Sequence, residues 1–542
     1  MKKSLLKNWP EVIFAVFAFI FSFWLMTSTF SSNPKMGTIT VAGNVYSDFA
    51  ANLPLIRSFS EGQNFPPQYP LFPGEPIRYH FLFYLLVGLL EKVGIPLGWA
   101  LNLPSILSFW ALLLMIYFLA KLLFKNRVVA VLSVVLFLFN ASFAFYYFFQ
   151  NHPLSFPQTI EDILANQKFA TYGPYDQNII VDLFWNLNVF TNQRHFASGL
   201  FITLSPFYLI LRARVLSWRT SLLLGAILGF LPFWHGTGFI MSVIILSGLL
   251  ILFPNRKRTL FTLLVAGFIA LPQFLYLDRA GGISSIQFHP GYIVSSDLSL
   301  FNFLRFWLLN LGLGFFLIPL GFLLAPPVAR RIFLVIFPIF ILGNLLQISP
   351  DINVNHKFFN LFILVSNMFI AFAIFYLWQK HLLFKILAPF LIIFLTLSGI
   401  IDLFAIKNDR FLTISDRPSN PTVVWIEKNT PPSTVFLNSF YLYHPASLAG
   451  RKIFLGWPYF SWSAGYDTDN RFLIQKKIYQ GGKLNDICDL LKENKIGYVE
   501  TQTALADQNI PINQAFWEKN FRLLHQNPQE NLEIYSVTDT CR

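Results

Sequence analysis

From residue 11 to residue 405 the chain repeats one pattern. An apolar run of about 20 residues, the length that crosses ~30 Å of hydrocarbon as a helix, is followed by a short polar stop. A backbone inside lipid must satisfy its own hydrogen bonds, so these runs predict an all-α polytopic membrane bundle. The spans fall at 11–30, 98–120, 128–149, 196–211, 220–235, 237–253, 259–276, 301–324, 332–348, 358–378 and 383–405, about 11 transmembrane helices. The first reads as a retained helix, since no small-residue cleavage site follows it. Residues 80–93 are apolar but only ~21 Å long as a helix. Gly94-Ile95-Pro96 ends them, and they read as a re-entrant or interfacial helix.

After residue 405 the period changes. Thr434–Leu437, Lys452–Leu455, Gly497–Val499 and Leu532–Val537 read as strands. Asp486–Asn494 reads as a helix with Ile487, Leu490 and Leu491 on one face. The pattern therefore predicts a transmembrane domain over 1–405 and a soluble α/β domain over 406–542.

Two polar segments interrupt the bundle at length. The first, 31–79, holds many prolines, which exclude a long helix. Within it Asp48–Phe59 predicts a short surface helix, with Phe49, Leu53, Ile56 and Phe59 on one face. The second, 150–195, carries Glu161, Asp162, Asp176 and Asp182 and closes on Asn192-Gln193-Arg194-His195. Trp234-His235-Gly236-Thr237-Gly238 reads as a tight turn between two spans, and Ser349–Lys357 as another.

Charge assigns these segments to sides. The net charge is +13, which alone would suggest a nucleic-acid binder. Its distribution excludes that. Residues 1–405 hold 25 Lys/Arg against 13 Asp/Glu, a balance of +12, and residues 406–542 hold 15 against 14. The excess clusters at Lys2-Lys3-Lys7, Lys121-Lys125-Arg127, Arg212-Arg214-Arg219, Arg256-Lys257-Arg258, Arg330-Arg331 and Lys380-Lys385. All can lie in the cytoplasm together if the N-terminus is inside and the C-terminal domain is exoplasmic. Twelve of the 13 acids before residue 406 then lie outside, Glu11 being the exception, so any chemistry belongs to the outer loops. Cys488 and Cys541 fall in the exoplasmic tail, where a bridge and two free thiols are both open.

Asp48 opens a helix at the membrane surface. There it reads equally as a helix cap and as a general base or metal ligand. Glu75, Arg78 and His80 lie near the membrane, where ionisable groups are functional or snorkel to headgroups. Arg194-His195 and His356-Lys357 are cationic pairs at helix mouths, suited to a phosphate or pyrophosphate and equally to interfacial anchoring. His235 reads first as a turn histidine. No His-x-x-x-His, Cys-x-x-Cys, Walker A or dinucleotide glycine pattern is present, which argues against ATP as an energy source.

These features together resemble the GT-C fold of integral-membrane glycosyltransferases. The protein mannosyltransferase and aminoarabinose transferase-like superfamily, in an uncharacterised bacterial branch, is the nearest form. The resemblance is carried by Tyr46-Ser47-Asp48 through Tyr79-His80-Phe81, Asn192-Gln193-Arg194-His195, Pro232-Phe233-Trp234-His235 and Asn355-His356-Lys357-Phe358-Phe359. In the tail it rests on Leu448–Lys452, Gly465-Tyr466-Asp467 and Leu490–Val499. It implies transfer of a sugar from a polyprenyl-phosphate donor to a glycan, lipid or protein acceptor, in the plasma (inner) membrane of a bacterial cell envelope. It puts the catalytic base, or a Mg or Mn ligand, at Asp48, with a second acid among Glu161, Asp162, Asp176 and Asp182. Arg78, His80, Arg194, His195, His235, His356 and Lys357 would line a lipid-phosphate site. Two departures stand out. Asp48 is followed by Phe49 rather than by a second acid, and the tail lacks a Trp-Trp-Asp signature. A flippase for lipid-linked glycans and a non-catalytic envelope-assembly protein are the competing expectations.

Overall fold

The computed structural model describes residues 9–213, 215–281, 286–380 and 382–541. Lys2, Lys3, Lys7 and Arg214 of the basic clusters lie outside the described residues. The chain forms two compact units. One is drawn from Met1–Thr29, Ser105–Leu275 and Ile286–Arg410, the other from Phe30–Pro104, Tyr276–Ser285 and Phe411–Arg542.

The chain is an integral membrane protein of helical type. Among the described residues, 8 helices are long and apolar enough to cross a membrane, and the pair Leu300–Leu311 and Gly314–Leu324, bent by 85°, gives a ninth candidate. Two further predicted spans are helical but short. Arg127–Leu138 and Trp218–Gly229 have 12 residues each, ~18 Å, too little to cross alone. The first stops because the backbone turns extended at Phe139. Asn140 and Ser142 then both donate to the buried Asp182 carboxylate.

The turn expected at Trp234–Gly238 is a correction. One helix, Leu231–Leu252, runs through it and is kinked at His235 (φ −162°, ψ 89°), while the break from the preceding helix falls at Phe230. His235 Nδ1 accepts the Gly238 N–H at 2.9 Å, which replaces a helical bond that the kink removes.

The helix His356–Lys380 lies in the middle of the first unit. The apolar window of Ile352–Lys380 is 83% buried, against 22% for Arg256–Arg279 on the periphery. Phe109, Phe190, Phe196, Trp307, Phe359 and Phe369 pack in the same core. Buried amides tie the central helix to its neighbours: Asn360 donates to Phe184 O and Asn367 to Leu136 O, each at 3.0 Å. Glu11 accepts from Lys121 and, at 2.9 Å, from Arg127 Nε. The acid expected on the basic side is therefore paired with the basic cluster itself.

The second unit holds the two larger sheets, and the first a two-stranded one, Gln287–Phe288 with Leu346–Gln347. Strands β1 (Phe30–Asn33), β2 (Thr38–Ala42) and β3 (Phe411–Ser415) form an antiparallel sheet in that order. The β2–β3 register runs from Thr38↔Ser415 to Ala42↔Phe411, so the segment after the first span is hydrogen-bonded to the start of the tail. The tail adds β4 (Val435–Leu437), β5 (Lys452–Ile453), β6 (Tyr498–Gln502), β7 (Arg522–Asn527) and β8 (Leu532–Ser536) in the spatial order β5-β4-β6-β8-β7. The strand β4 runs parallel to β5 and β6, and the remaining pairs are antiparallel. Helix Leu484–Glu493 buries Ile487, Cys488 and Leu491, and Cys488 is disulfide-bonded to Cys541.

The first-loop helix spans Tyr46–Ser60 and buries Phe49, Leu53, Ile56 and Phe59, the four residues of the expected face. It packs on Leu82–Lys92, an 11-residue helix ~16 Å long that cannot cross a bilayer by itself. Arg57 joins them. Its Nε lies 3.3 Å from Glu91 and its Nη2 2.5 Å from Asp416.

Candidate functional site

In the second unit, Asp48 is half-buried in the first turn of Tyr46–Ser60. The cap position belongs to Val45, which makes no side-chain cap bond. Asp48 is therefore not the N-cap. Its carboxylate sits instead where the helix dipole favours an anion. Tyr79 and Tyr443 lie within electrostatic range of it. Tyr443 Oη donates to Tyr46 O at 2.6 Å, and the two rings are 4.6 Å apart. Burial raises the Tyr443 phenol, Tyr46 and then Asp48 adding to the effect, so it remains a protonated donor.

Arg78 has a defined structural task in the same unit. It donates to Gly465 O, lies 3.3 Å from Glu75 and stacks over the Tyr466 ring at 4.5 Å. Its own N–H donates to Tyr466 Oη at 3.0 Å. These contacts hold residues 75–78 against the tail. His80 is buried against the ring of Tyr79.

The first unit gathers the other predicted cations. Arg194, His195, His235, His356 and Lys357 are all buried. His195 and His235 face each other with ring centroids 5.5 Å apart, and Phe196 packs against both His235 (5.1 Å) and His356 (6.1 Å). Lys357 is close enough to act electrostatically on His195 and His235. Arg194 has a supporting position within this group. It donates to Thr191 O (2.7 Å), Met26 O (3.1 Å) and Thr29 Oγ1 (2.8 Å), fastening the 188–192 turn to the end of the first span.

The backbone is shaped around His235. A Cβ on Gly199 would lie 2.8 Å from His235 Cγ, and one on Gly238 2.9 Å from Nδ1, so only glycine admits the ring from both sides. His356 is oriented as closely. Its Nδ1 faces the Asn360 amide at 3.0 Å and its Nε2 the Gln193 amide at 3.2 Å, while Phe184 stacks on the ring at 5.3 Å. Both ring nitrogens thus face amide nitrogens, Asn360 Nδ2 at Nδ1 and Gln193 Nε2 at Nε2. Burial, with the Lys357 ammonium second, holds His195 well below the usual imidazole range.

The four secondary acids differ in setting. Glu161 is exposed, Asp162 accepts from Gln158 at 2.8 Å, and Asp176 accepts the Tyr172 N–H at 2.7 Å. Asp182 alone is buried, held by Asn140 and Ser142 and within electrostatic range of the buried Asp402. Its turn ends at Phe184, which touches His356. Asp402 in turn accepts from Asn186 at 2.7 Å. Sequence reasoning missed Arg57, Gln193, Asn360, Asp402 and Tyr443. Asn360 and Asp402 carried the only available signal, being polar residues inside apolar runs.

Among the described residues, no group of three or more His, Cys, Asp or Glu converges as a metal site would require.

No family model matches the chain, and no curated protein matches it in sequence. Solved structures do match its fold. The apo oligosaccharyltransferase of Archaeoglobus fulgidus aligns with a TM-score of 0.50 at 15% identity, covering 98% of this chain and 75% of that one. The arabinofuranosyltransferase AftD from Mycobacteria aligns with a TM-score of 0.56 at 13% identity, over 96% of this chain and 40% of that one. Apo ArnT from Cupriavidus metallidurans aligns at 0.51 and 10% identity, over 98% of both chains. These proteins share the expected fold, and this chain has it.

Proposed function

Proceeding from a GT-C membrane fold, we propose that this protein is a glycosyltransferase that moves a sugar from a polyprenyl-phosphate donor to a glycan, lipid or protein acceptor. The observation that carries the reading is the buried group His195, His235, His356 and Lys357, with its glycine, Gln193 and Asn360 supports. Asp351 already acts on Lys357 as a counter-charge. A gathering of basic groups of this kind is also suited to an anionic ligand, and a lipid phosphate is one that a membrane enzyme of this fold would meet.

In the reaction the acceptor hydroxyl attacks the anomeric carbon. The carbon–oxygen bond to phosphate breaks with its electron pair, and the phosphate leaves with one more negative charge. Asp48 takes the hydroxyl proton, a role carried over from the family resemblance alone. A basic group such as that of the first unit is of the kind that stabilises the charge gained by a leaving phosphate. His80 belongs to the first-loop side of the reading, Arg194 and Arg78 support their own segments, and Asp182 keeps the 182–184 turn in place. The proposed placement is the plasma membrane, with the N-terminus cytoplasmic and residues 406–542 exoplasmic, on the charge distribution.

The test is transfer in proteoliposomes from a panel of undecaprenyl-phosphate-linked mannose, glucose and arabinofuranose. Asp48→Asn should lower the rate by about 10²–10⁴-fold, the usual weight of a general base. A folded Asp48→Asn protein with the native rate removes Asp48 from the mechanism. Lys357→Gln should weaken binding of undecaprenyl phosphate itself, and unchanged binding removes the phosphate site.

A flippase reading keeps one observation in its favour, the helix pair Leu300–Leu311 and Gly314–Leu324 bent by 85°. No ionisable residue lies at that break, Leu311-Gly312-Leu313, and transporters place such groups at theirs. Movement of undecaprenyl-phosphate sugar across the liposome without transfer would favour it.

A further inference from the structure

The segment Tyr443–Gly450 of the tail touches both ends of the helix that carries Asp48. At the N-terminal end is the Tyr443 hydroxyl on Tyr46 O. At the other end Gly450, at φ +77°, lies so close that a Cβ would come within 2.7 Å of Glu61 Cβ and 2.8 Å of Arg57 O. Between them the short helix Pro445–Leu448 is buried, and His444 Nδ1 accepts the Ala446 N–H at its start. Tyr443 has φ +52°, a left-handed backbone that a bulky side chain adopts only when its surroundings require it. That strained conformation delivers a buried phenol to the main chain two residues before Asp48. Tyr46 O lies in the first helical turn, so its contact bears directly on where the Asp48 side chain points.

We propose that Tyr443 is a positioning residue for Asp48, a contact from the C-terminal lobe that holds the first turn of the Asp48 helix in its working geometry. This rests on the reading of Asp48 as the acting base. The phenol touches no substrate in this scheme. It acts only through the Tyr46 carbonyl.

The protein's two cysteines are bonded to each other, so a single introduced cysteine is a lone free thiol among the described residues. In full-length protein in nanodiscs, iodoacetamide alkylation of Asp48→Cys would be compared with that of Asn52→Cys, each with and without Tyr443→Phe. Removing the hydroxyl should speed alkylation at position 48 about fivefold, the factor one lost hydrogen bond gives, and leave position 52 unchanged. On the otherwise native protein, Tyr443→Phe should lower kcat for the undecaprenyl-phosphate sugars by a similar factor with KM unmoved. If the Phe variant does not fold, Tyr443→Gln, which keeps a donor, replaces it, and native-like alkylation at position 48 is the expected result. Equal alkylation at position 48 with and without the hydroxyl, even alongside a lower Tm, overturns the proposal, because the contact is then merely structural. If Asp48→Asn proves fully active, the base assignment fails, while the alkylation result still decides whether Tyr443 holds that turn.

Discussion

His195 shows how a single residue's setting produces a measurable dependence on pH. Burial, and then Lys357, keep its imidazole from taking a proton in the folded protein. An unfolded histidine binds one near pH 6.5. Below about pH 6.5 the unfolded state therefore binds more protons than the folded one, and stability falls as pH drops. The thermal midpoint should decline between pH 7.5 and 5.5, and the decline should be shallower in His195→Asn. A bound phosphate reverses the local field, so undecaprenyl phosphate should bind more tightly at pH 6 than at pH 8, with proton uptake visible by calorimetry in two buffers. At this scale the sequence was informative about residue type and silent about role. Asp48 as cap and Asp48 as base look alike in a string of letters. Val45 holding the cap position removes the first reading, and the second stands as the proposal. Arg194 and Arg78 were legible as cations, but among the backbone carbonyls that engage them are those of residues 26 and 465, far away in the chain.

At the scale of elements, the kinked helix Leu231–Leu252 makes the sharpest forecast. Gly199→Ala would place a methyl against His235 Cγ, at 2.8 Å, and should cost about 1–3 kcal/mol, read as a lower Tm. The same change on the outer face, at Gly267, meets nothing within 4 Å and serves as the control. The first-loop helix offers a second test. Arg57→Ala leaves Asp416 buried without this cation and Glu91 with only the longer Arg417 contact at 3.9 Å, and breaking such a buried pair costs about 3–5 kcal/mol. Arg57→Ala with Glu91→Gln should recover part of that loss. Long apolar runs were read correctly as helices because length and hydropathy are local properties. The stops were less legible. The 128–149 run ends early because Asn140 and Ser142 are drawn to Asp182, 40 residues on, and the glycines at 236 and 238 accommodate a kink where their composition suggested a turn.

For the whole molecule, the Cys488–Cys541 bridge closes a loop of 53 residues at the end of the chain. Chain-entropy arithmetic for that length gives about 4 kcal/mol of stabilisation. Cys488→Ser with Cys541→Ser should therefore lower the unfolding temperature of the unit that contains the tail sheets, followed by near-UV circular dichroism. The helices of the other unit, followed by far-UV signal, should change less.

What the sequence determined by itself is the solvent and the architecture. Apolar runs near the bilayer thickness leave the backbone no stable alternative to helices, and the change of period after residue 405 predicts a sheet-forming tail, whose compact unit also takes in Phe30–Pro104 and Tyr276–Ser285. It also placed Arg194, His195, His356 and Lys357 at helix mouths, and all four are buried. Only tertiary structure decided which cations are engaged by carbonyls, which polar side chains hold the buried Asp182, and that the tail supplies Tyr443 to the Asp48 helix. The reason is physical. Helix formation in lipid is decided within some 20 neighbouring residues. The partner of a buried polar group is chosen by whatever distant segment folding brings within about 3 Å.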